Sequence, residues 1–223
     1  EKMLEQESRY LGLDFSRSKG TDAIGTLTRL LEQCVDWKLL LAKTAVPLRE
    51  TRERDKEFVG GRKPGNLRIL VARNEESFSF IYEEHLEMLR GMGNVSFFDP
   101  EKDVPIAQDT DLLYLPGGYP EKHSMALAGA RQVKESVREY IERGGKTLAE
   151  CGGMIYLSYA IGYDKREHES GGSGFDRMAG VFPFYISNES EYRKLTLGYR
   201  SFDYKGQRLR GHEFHYTQFG KSG

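Results

Sequence analysis

Short apolar runs and longer amphipathic stretches alternate along the chain from residue 67 onward. The runs with the length of buried strands lie at 67–72, 95–98, 111–115 and 146–150. Helical spacing of apolar residues marks the stretches 78–89, 121–143 and 154–160. Strands that alternate with helices favour a parallel sheet with helices on both faces. The pattern therefore predicts an α/β fold with a mostly parallel sheet over the region 67–223.

The first 66 residues follow a different pattern. Residues 1–45 are predicted to be mostly helical, because 23–35 places apolar residues at helical spacing and Asp36 suits the N-cap of a second, short helix. Residues 46–66 combine charges of alternating sign with Pro and Gly at both ends, which predicts a solvated linker. Near the other end, 163–174 is a polar loop, and the chain from Met178 is predicted to be rich in strands.

Composition narrows the functional classes. The 33 Lys and Arg balance 34 Asp and Glu, which argues against a protein that binds nucleic acid mainly through charge. No apolar run reaches the roughly 20 residues that cross a bilayer. The charged start lacks the apolar segment of a signal peptide, and the only two cysteines, Cys34 and Cys151, make no disulfide framework. We therefore expect a cytoplasmic protein. Cys34 lies in a helical apolar pattern, which predicts a core residue.

Cys151 stands between a strand and a helix, in the sequence Leu-Ala-Glu-Cys-Gly-Gly-Met over 148–154. This order is typical of a nucleophile elbow, in which a sharp turn exposes the nucleophile and small neighbours leave room for substrate. A nearby helix N-terminus favours the thiolate, and the Gly152 amide is placed to face a developing oxyanion. The alternative is a buried structural cysteine before a Gly-rich turn.

Two further segments complete a possible site. The strand at 111–115 continues into Pro-Gly-Gly, and Gly117 or Gly118 is placed to offer a second oxyanion amide beside Gly152; a plain turn is the alternative. Residues 211–216 read Gly-His-Glu-Phe-His-Tyr, and strand alternation puts Glu213 and His215 on one face. A thiol nucleophile needs a base within reach, which His215 would supply. Three histidines lie elsewhere in the chain and are expected to be ordinary surface or core residues: His85, His123 and His168. Of these, His123 is a weak further candidate for the base, because it closely follows the Pro-Gly-Gly loop.

Taken in order, these segments resemble the class I glutamine amidotransferases of the kind found in cobyrinate a,c-diamide synthases and cobyric acid synthases, most closely the former. The Leu-Pro-Gly-Gly-Tyr-Pro-Glu of 115–121, the Glu-Cys-Gly-Gly-Met of 150–154 and the histidine strand 211–216 carry the resemblance. Similar stretches at 72–82, 180–183 and 195–200 extend it over about 67–220. It implies a flavodoxin-like sheet with Cys151 as nucleophile, His215 as base, and Gly117 or Gly118 with Gly152 as oxyanion donors.

The resemblance also implies a larger enzyme. Residues 1–45 look like the end of the family's ATP-binding domain, yet the phosphate-binding pattern G-x-x-x-x-G-K-[ST] does not occur in the chain. We therefore expect a fragment that is truncated at both ends, with no cofactor or metal of its own. In the complete enzyme, ATP and Mg²⁺ would activate the a and c carboxylates of cobyrinate, a corrinoid, for amidation by ammonia from glutamine, in cobalamin biosynthesis. A homodimer is left open.

One departure from the broader class concerns the third catalytic residue. Many class I glutaminases carry Glu two residues after the histidine, where this chain has Thr217. The cobyrinate-type variant also lacks that Glu. Glu213 is a candidate to orient His215, although two residues along a strand separate them by about 6–7 Å. Two alternatives remain: the same half of a nickel-sirohydrochlorin or cobyric acid amidating enzyme, and a non-catalytic flavodoxin-like binding module.

Overall fold

The computed structural model of the chain describes residues 8–9, 12–13, 22–46, 65–164 and 174–220. The chain divides into two compact units, residues 1–54 and 55–223. Most of the predicted linker 46–66, most of the predicted polar loop 163–174, and His168 lie outside the described residues.

In the first unit, two helices follow a short strand pair. Strands β1 (Ser8–Arg9) and β2 (Gly12–Leu13) pair antiparallel. Helix α1 spans Asp22–Cys34 and helix α2 spans Trp37–Thr44. The mostly helical character that the sequence predicts for this region is therefore confirmed for the described residues.

The ends of these helices test two predictions. Asp36 caps α2 as predicted, because its carboxylate accepts a hydrogen bond of 3.0 Å from the Leu39 amide. Cys34, the last residue of α1, is exposed. The prediction of a core cysteine is therefore wrong. Helical spacing identified an apolar stripe, but Leu30 and Leu31 on α1 are exposed as well, so the stripe is uncovered among the described residues.

The second unit is built on a parallel sheet of four strands in the order β4-β3-β5-β6. The strands are β3 (Leu67–Ala72), β4 (Gly93–Phe98), β5 (Leu112–Leu115) and β6 (Thr147–Ala149). All three neighbouring pairs are parallel, which confirms the predicted α/β fold. Because the carboxyl ends of parallel strands meet at one edge, the loops that follow these four strands lie along the same edge of the sheet.

Helices cover both faces of this sheet. They are α3 (Glu83–Met92), α4 (Ser124–Gly129), α5 (Arg131–Glu142) and α6 (Gly152–Leu157). Successive side chains of β3 point to opposite faces of the sheet, so the core consists of two clusters. One cluster on one face of β3 contains Ile69, Val71, Tyr114 and Leu89 of α3. The cluster on the opposite face contains Leu70, Ala72, Val133 and Val137 of α5, and Tyr156 of α6.

A second sheet and a hairpin follow α6. The sheet has the order β12-β9-β7-β8, with β7 (Ala160–Gly162), β8 (Phe175–Arg177), β9 (Tyr185–Ser187) and β12 (Gln218–Phe219). Strands β10 (Thr196–Tyr204) and β11 (Gln207–His215) form a long antiparallel hairpin in which Thr196 lies opposite His215. The predicted richness in strands after Met178 is confirmed.

The predicted helix over 78–89 begins later, at Glu83. The side-chain oxygen of Asn74 accepts hydrogen bonds from the amides two and four residues further on, at 3.1 and 2.9 Å. This side-chain bonding competes with helix formation and turns the chain directly after β3. The amide of Phe80 then donates to the carbonyl of Gly117 at 3.1 Å. Residues 73–82 therefore form a loop that contacts the loop after β5.

A buried lysine ties α5 to its neighbours and gives a pH-dependent prediction. The Lys134 ammonium donates to the carbonyls of Ala128 and Arg177 at 2.8 and 2.7 Å. Burial, with Arg131 nearby, lowers the pKa of Lys134 to about 8. Between pH 8 and the ordinary lysine pKa of about 10.4, the unfolded chain binds more protons at this residue than the folded chain does. The contribution of Lys134 to the free energy of unfolding therefore increases as pH rises over this range. The free energy of unfolding in urea is measured at pH 8 and pH 10 for the wild type and for Lys134→Met. From pH 8 to pH 10, we expect the wild type to gain stability relative to the variant. An equal change in both proteins would contradict this.

Candidate active site

Cys151 occupies a strained turn between β6 and α6. Its backbone has φ +50° and ψ −116°, and it is the N-cap residue of α6. Among the described residues, the only other non-glycine residue with positive φ is Lys205, in the turn between β10 and β11. A side chain with a Cβ rarely adopts such a backbone, and residues held in this way cluster at functional sites. The strand–cysteine–helix turn expected from the sequence is present.

Close backbone packing explains the two glycines after Cys151. A Cβ added at Gly153 would lie 2.0 Å from the carbonyl oxygen of Leu115. A Cβ added at Gly152 would lie 2.9 Å from the Gly118 nitrogen and 2.9 Å from Pro120 Cδ. Only glycine allows the elbow to lie directly against the loop that follows β5.

The loop after β5 approaches the cysteine in the same way. A Cβ added at Gly117 would lie 3.4 Å from the Cys151 sulfur, so this glycine lines the space beside the thiol. A Cβ added at Gly118 would lie 2.0 Å from the Ser77 carbonyl oxygen, in the loop after β3. Three loops at the carboxyl edge of the sheet therefore meet backbone to backbone around Cys151.

Two backbone amides point at the cysteine sulfur. The N–H groups of Gly118 and Gly152 hydrogen-bond to Cys151 and favour its thiolate form. Although Cys151 is exposed to solvent, the protein atoms packed around its sulfur disfavour the charged thiolate more than the two amides favour it, and the pKa of Cys151 is raised. Of the two glycines that the sequence offered as alternatives, Gly118 is the one whose amide interacts with Cys151, and Gly117 borders the thiol; the oxyanion role of either stays a prediction. Because both amides lie beside the thiol, where the carbonyl oxygen of a substrate attached to the sulfur would need donors, they are candidates for an oxyanion hole.

Two carboxylates lie close enough to the thiol to act on it through their charge. Glu121 and Glu150 both raise the pKa of Cys151 through their negative charge. Burial raises the pKa of Glu121 itself to about 7, against opposing effects of its own amide, Lys122 and Arg193. Both carboxylates lie within the sequence motifs described above, but local sequence gives no signal of their effect on the thiol. Because this surrounding disfavours a resting thiolate, the cysteine needs a base to remove its proton during reaction.

Glu150 is held by a tyrosine from the neighbouring strand. The Tyr114 hydroxyl donates a short hydrogen bond to the Glu150 carboxylate. His85 Nδ1 lies 3.4 Å from the same hydroxyl and 4.0 Å from the carboxylate. Burial and Glu150 together raise the pKa of Tyr114, so the tyrosine remains a donor at neutral pH. His85, which the sequence treats as an ordinary histidine, therefore lies close to Glu150, the residue that precedes Cys151.

His215 lies at the end of β11 with a defined ring orientation. Its Nδ1 lies 2.8 Å from the carbonyl oxygen of Thr217. Because a carbonyl only accepts, Nδ1 carries the hydrogen and Nε2 is left as the basic nitrogen. Among the described residues, no hydrogen bond joins His215 to Cys151. Thr217, where the broader class has Glu, contributes through its backbone. Glu213 forms an ion pair with Arg200 across the hairpin, and its orienting role stays a prediction.

The described residues contain neither a metal-binding cluster nor a membrane-spanning helix. In ranges 8–9, 12–13, 22–46, 65–164 and 174–220, no three His, Cys, Asp or Glu side chains are grouped so that they could hold a metal ion. Within the same ranges, no helix has both the length and the apolar character needed to cross a membrane.

The family comparison agrees with this geometry. Residues 68–223 match the family model described as the CobB/CobQ-like glutamine amidotransferase domain. The matched region includes β3 from its second residue, β4 to β6, the three loops around Cys151 and the hairpin that carries His215.

Curated relatives extend the match toward the start of the chain. The chain is 32% identical to a cobyrinate a,c-diamide synthase of Sulfolobus acidocaldarius, over 98% of the chain and 49% of that protein. It is 34% identical to a cobyrinate a,c-diamide synthase of Priestia megaterium (95% of the chain, 45% of that protein). It is also 34% identical to a hydrogenobyrinate a,c-diamide synthase of Pseudomonas aeruginosa (96% and 46%). The chain spans about half the length of the curated relatives it matches.

Proposed function

Because the chain belongs to the CobB/CobQ-like glutamine amidotransferase domain family, we propose that it hydrolyses glutamine at Cys151 and supplies ammonia to an ATP-dependent amide-forming enzyme. One observation carries this proposal: Cys151 is held at positive φ with the amides of Gly118 and Gly152 directed at its sulfur. A structural cysteine in a binding module would need neither the strained backbone nor two converging donors.

The proposed reaction begins with proton transfer from the Cys151 thiol to His215 Nε2. The sulfur attacks the side-chain carbonyl carbon of glutamine, and the electron pair of the C=O bond moves to oxygen. The amides of Gly118 and Gly152 then hydrogen-bond to this oxyanion. As the tetrahedral intermediate collapses, His215 returns its proton to the departing nitrogen. Ammonia leaves, and a γ-glutamyl thioester remains on Cys151.

Water completes the turnover. His215 Nε2 removes a proton from a water molecule that attacks the thioester carbonyl, and the same two amides stabilise the second oxyanion. The C–S bond breaks, glutamate is released, and the sulfur regains the proton. Both steps require the imidazole to approach the sulfur to roughly 3 Å, with Nδ1 still bonded to the Thr217 carbonyl.

The ammonia acceptor is proposed to be a tetrapyrrole carboxylate. The relatives' names contain both cobyrinate and hydrogenobyrinate. For this chain we propose the a and c carboxylates of cobyrinate as the acceptors, in the cytoplasm. ATP and Mg²⁺ would bind elsewhere in the full-length protein. This chain has no phosphate-binding motif, and its described residues group no three metal-ligating side chains. Amidation of a nickel-sirohydrochlorin or a cobyric acid precursor is the alternative outcome of an acceptor screen.

Isotope labelling tests the covalent step. The protein is incubated with glutamine that carries ¹³C in its carbon chain and ¹⁵N in its side-chain amide, quenched in acid and digested. We expect the Cys151 peptide to carry a ¹³C-glutamyl group without the amide ¹⁵N. Cys34→Ser should retain this adduct and Cys151→Ser should lose it. Glutamate release by a protein whose peptides carry no glutamyl group would overturn the proposal.

Replacement of the base is expected to affect kcat far more than KM. His215→Ala removes general acid–base catalysis but leaves the glutamine pocket, so kcat for glutamine hydrolysis should fall by about 10²- to 10⁴-fold. His212→Ala is a matched control, because His212 is exposed and lies on the opposite face of β11. A decrease of similar size in both variants, or in neither, would contradict the role of His215.

A further inference from the structure

A second histidine links three loops beside the candidate active site. His123 follows the Pro-Gly-Gly loop by a few residues, and its ring is mostly buried. Its Nε2 lies 3.2 Å from a Glu76 carboxylate oxygen, in the loop after β3. Its Nδ1 lies 3.6 Å from a Glu101 carboxylate oxygen, in the loop after β4. The imidazole is therefore placed between two carboxylates, each on a different loop.

Asn74 also connects the loop after β3 to the loop after β4. Its side-chain nitrogen donates to Asp99 at 2.9 Å and to Glu101 at 3.2 Å. Its side-chain oxygen accepts the Phe78 amide at 2.9 Å, which fixes the turn that contains Ser77. The loop after β3 is thereby attached to the loop after β4, and both are attached to His123.

This network fixes both ends of the segment 118–123. At one end, Gly118 packs against the Ser77 carbonyl so closely that a Cβ would lie 2.0 Å from it. At the other end, His123 forms its two carboxylate contacts, and its amide donates to the Pro120 carbonyl at 3.2 Å. The Gly118 amide that points at Cys151 lies within the segment held by these two contacts.

We infer that His123, paired with Glu76 and Glu101, is a positioning residue that holds the Gly118 amide on the oxyanion. The inference rests on the proposed glutaminase function and assigns this network to the stabilisation of charge rather than to the nucleophile. Loss of His123 would release the segment 118–123 at one end. A displacement of about 1 Å at an oxyanion donor is enough to lower the rate of a reaction by roughly 10²-fold.

Two reactions of the same sulfur separate this role from a purely structural one. Glutamine hydrolysis passes through a tetrahedral oxyanion, whereas alkylation of Cys151 by iodoacetamide displaces iodide without forming one. In His123→Ala we expect kcat for glutamine to fall by about 10- to 100-fold, with KM within about twofold. The rate of Cys151 alkylation, followed by peptide mass spectrometry, should stay within about twofold of the wild type.

Three variants serve as controls. His123→Lys places a hydrogen-bond donor between the two carboxylates and should recover part of kcat. Glu76→Gln keeps the shape of the network without one charge and should reproduce the selective loss even if His123→Ala fails to fold. Lys102→Ala removes an exposed cation 3.7 Å from Asp99 without touching the segment 118–123, and should leave kcat unchanged.

Each result has one meaning. An unchanged kcat in His123→Ala and Glu76→Gln, with an active wild type, would overturn the inference alone. An equal loss of hydrolysis and alkylation in the folded variants would also overturn it, because the nucleophile itself would then be disturbed. A wild type that does not hydrolyse glutamine would overturn the proposed function and the inference together.

Discussion

Cys151→Ser is expected to lower glutamine-dependent amidation by the full-length protein by about 10⁴-fold or more, while amidation from added ammonium salts continues. The hydroxyl of serine is far less acidic and less nucleophilic than a thiol, and His215 with two amides would not compensate for this difference. Ammonia does not need the cysteine, because it enters the reaction after the glutaminase step.

The control for this variant is Cys34→Ser. Cys34 is also exposed, but it lies at the end of α1 in the other unit. We expect this variant to amidate its acceptor from glutamine at the wild-type rate. If Cys151→Ser kept most of its glutamine-dependent activity, or lost the ammonia-dependent activity equally, the proposed division of labour would be wrong.

Gly118→Ala should cause the second large loss. Its Cβ would lie 2.0 Å from the Ser77 carbonyl oxygen, which is far too close for two atoms that are not bonded. Because the oxygen belongs to the backbone, no side-chain rotation can relieve this contact. The loop after β5 must therefore shift, and the Gly118 amide shifts with it. Loss of one oxyanion donor typically lowers kcat by about 10²- to 10³-fold. Steady-state hydrolysis of glutamine, with KM measured separately, provides the test.

A glycine in open space provides the matched control. Gly129, at the end of α4, has no neighbouring atom within 4 Å of an added Cβ. Gly129→Ala should therefore have wild-type kcat and KM, and circular dichroism should show the same helix content in both variants. Wild-type activity in Gly118→Ala would mean that the amide of Gly118 is not a donor to the oxyanion.

The sequence predicted the parts of this fold that depend on local pattern. The apolar runs that became β3 and β5 were identifiable because strands buried on both faces are almost continuously hydrophobic. The elbow at Cys151 was identifiable because a strand, a nucleophile and two glycines follow one another directly. In both cases, the residues that determine the structure are neighbours in the chain.

Features that the spacing of apolar residues does not show were not predicted. The helix start at Glu83 depends on Asn74, whose side chain turns the preceding loop. The surroundings of His123 depend on Glu76 and Glu101, which spacing along the chain does not bring near the histidine. Periodicity identified the stripe that contains Cys34, but periodicity does not show whether a stripe is covered.

The electrostatics of the site suggest how it would avoid unwanted reactions. Desolvation of the sulfur by the atoms packed around it raises the pKa of Cys151, and the charges of Glu121 and Glu150 add to this effect. A thiol that stays protonated at rest reacts slowly with oxidants and other electrophiles, because the thiolate is the reactive form. Under the proposed mechanism, His215 and the two amides activate the sulfur only when the side-chain amide of a bound glutamine lies beside it.

Selective labelling by a glutamine analogue tests the central claim, that Cys151 is the nucleophile of a glutaminase site. The folded protein is treated with an electrophilic chloroketone analogue of glutamine, with and without excess glutamine, and both cysteine peptides are quantified by mass spectrometry. Cys151 and Cys34 are both exposed, so exposure alone does not distinguish them. We expect rapid modification of Cys151 that glutamine suppresses, and slow modification of Cys34 that glutamine does not affect. Equal labelling of the two cysteines, or labelling of Cys151 that glutamine leaves unchanged, would contradict the account.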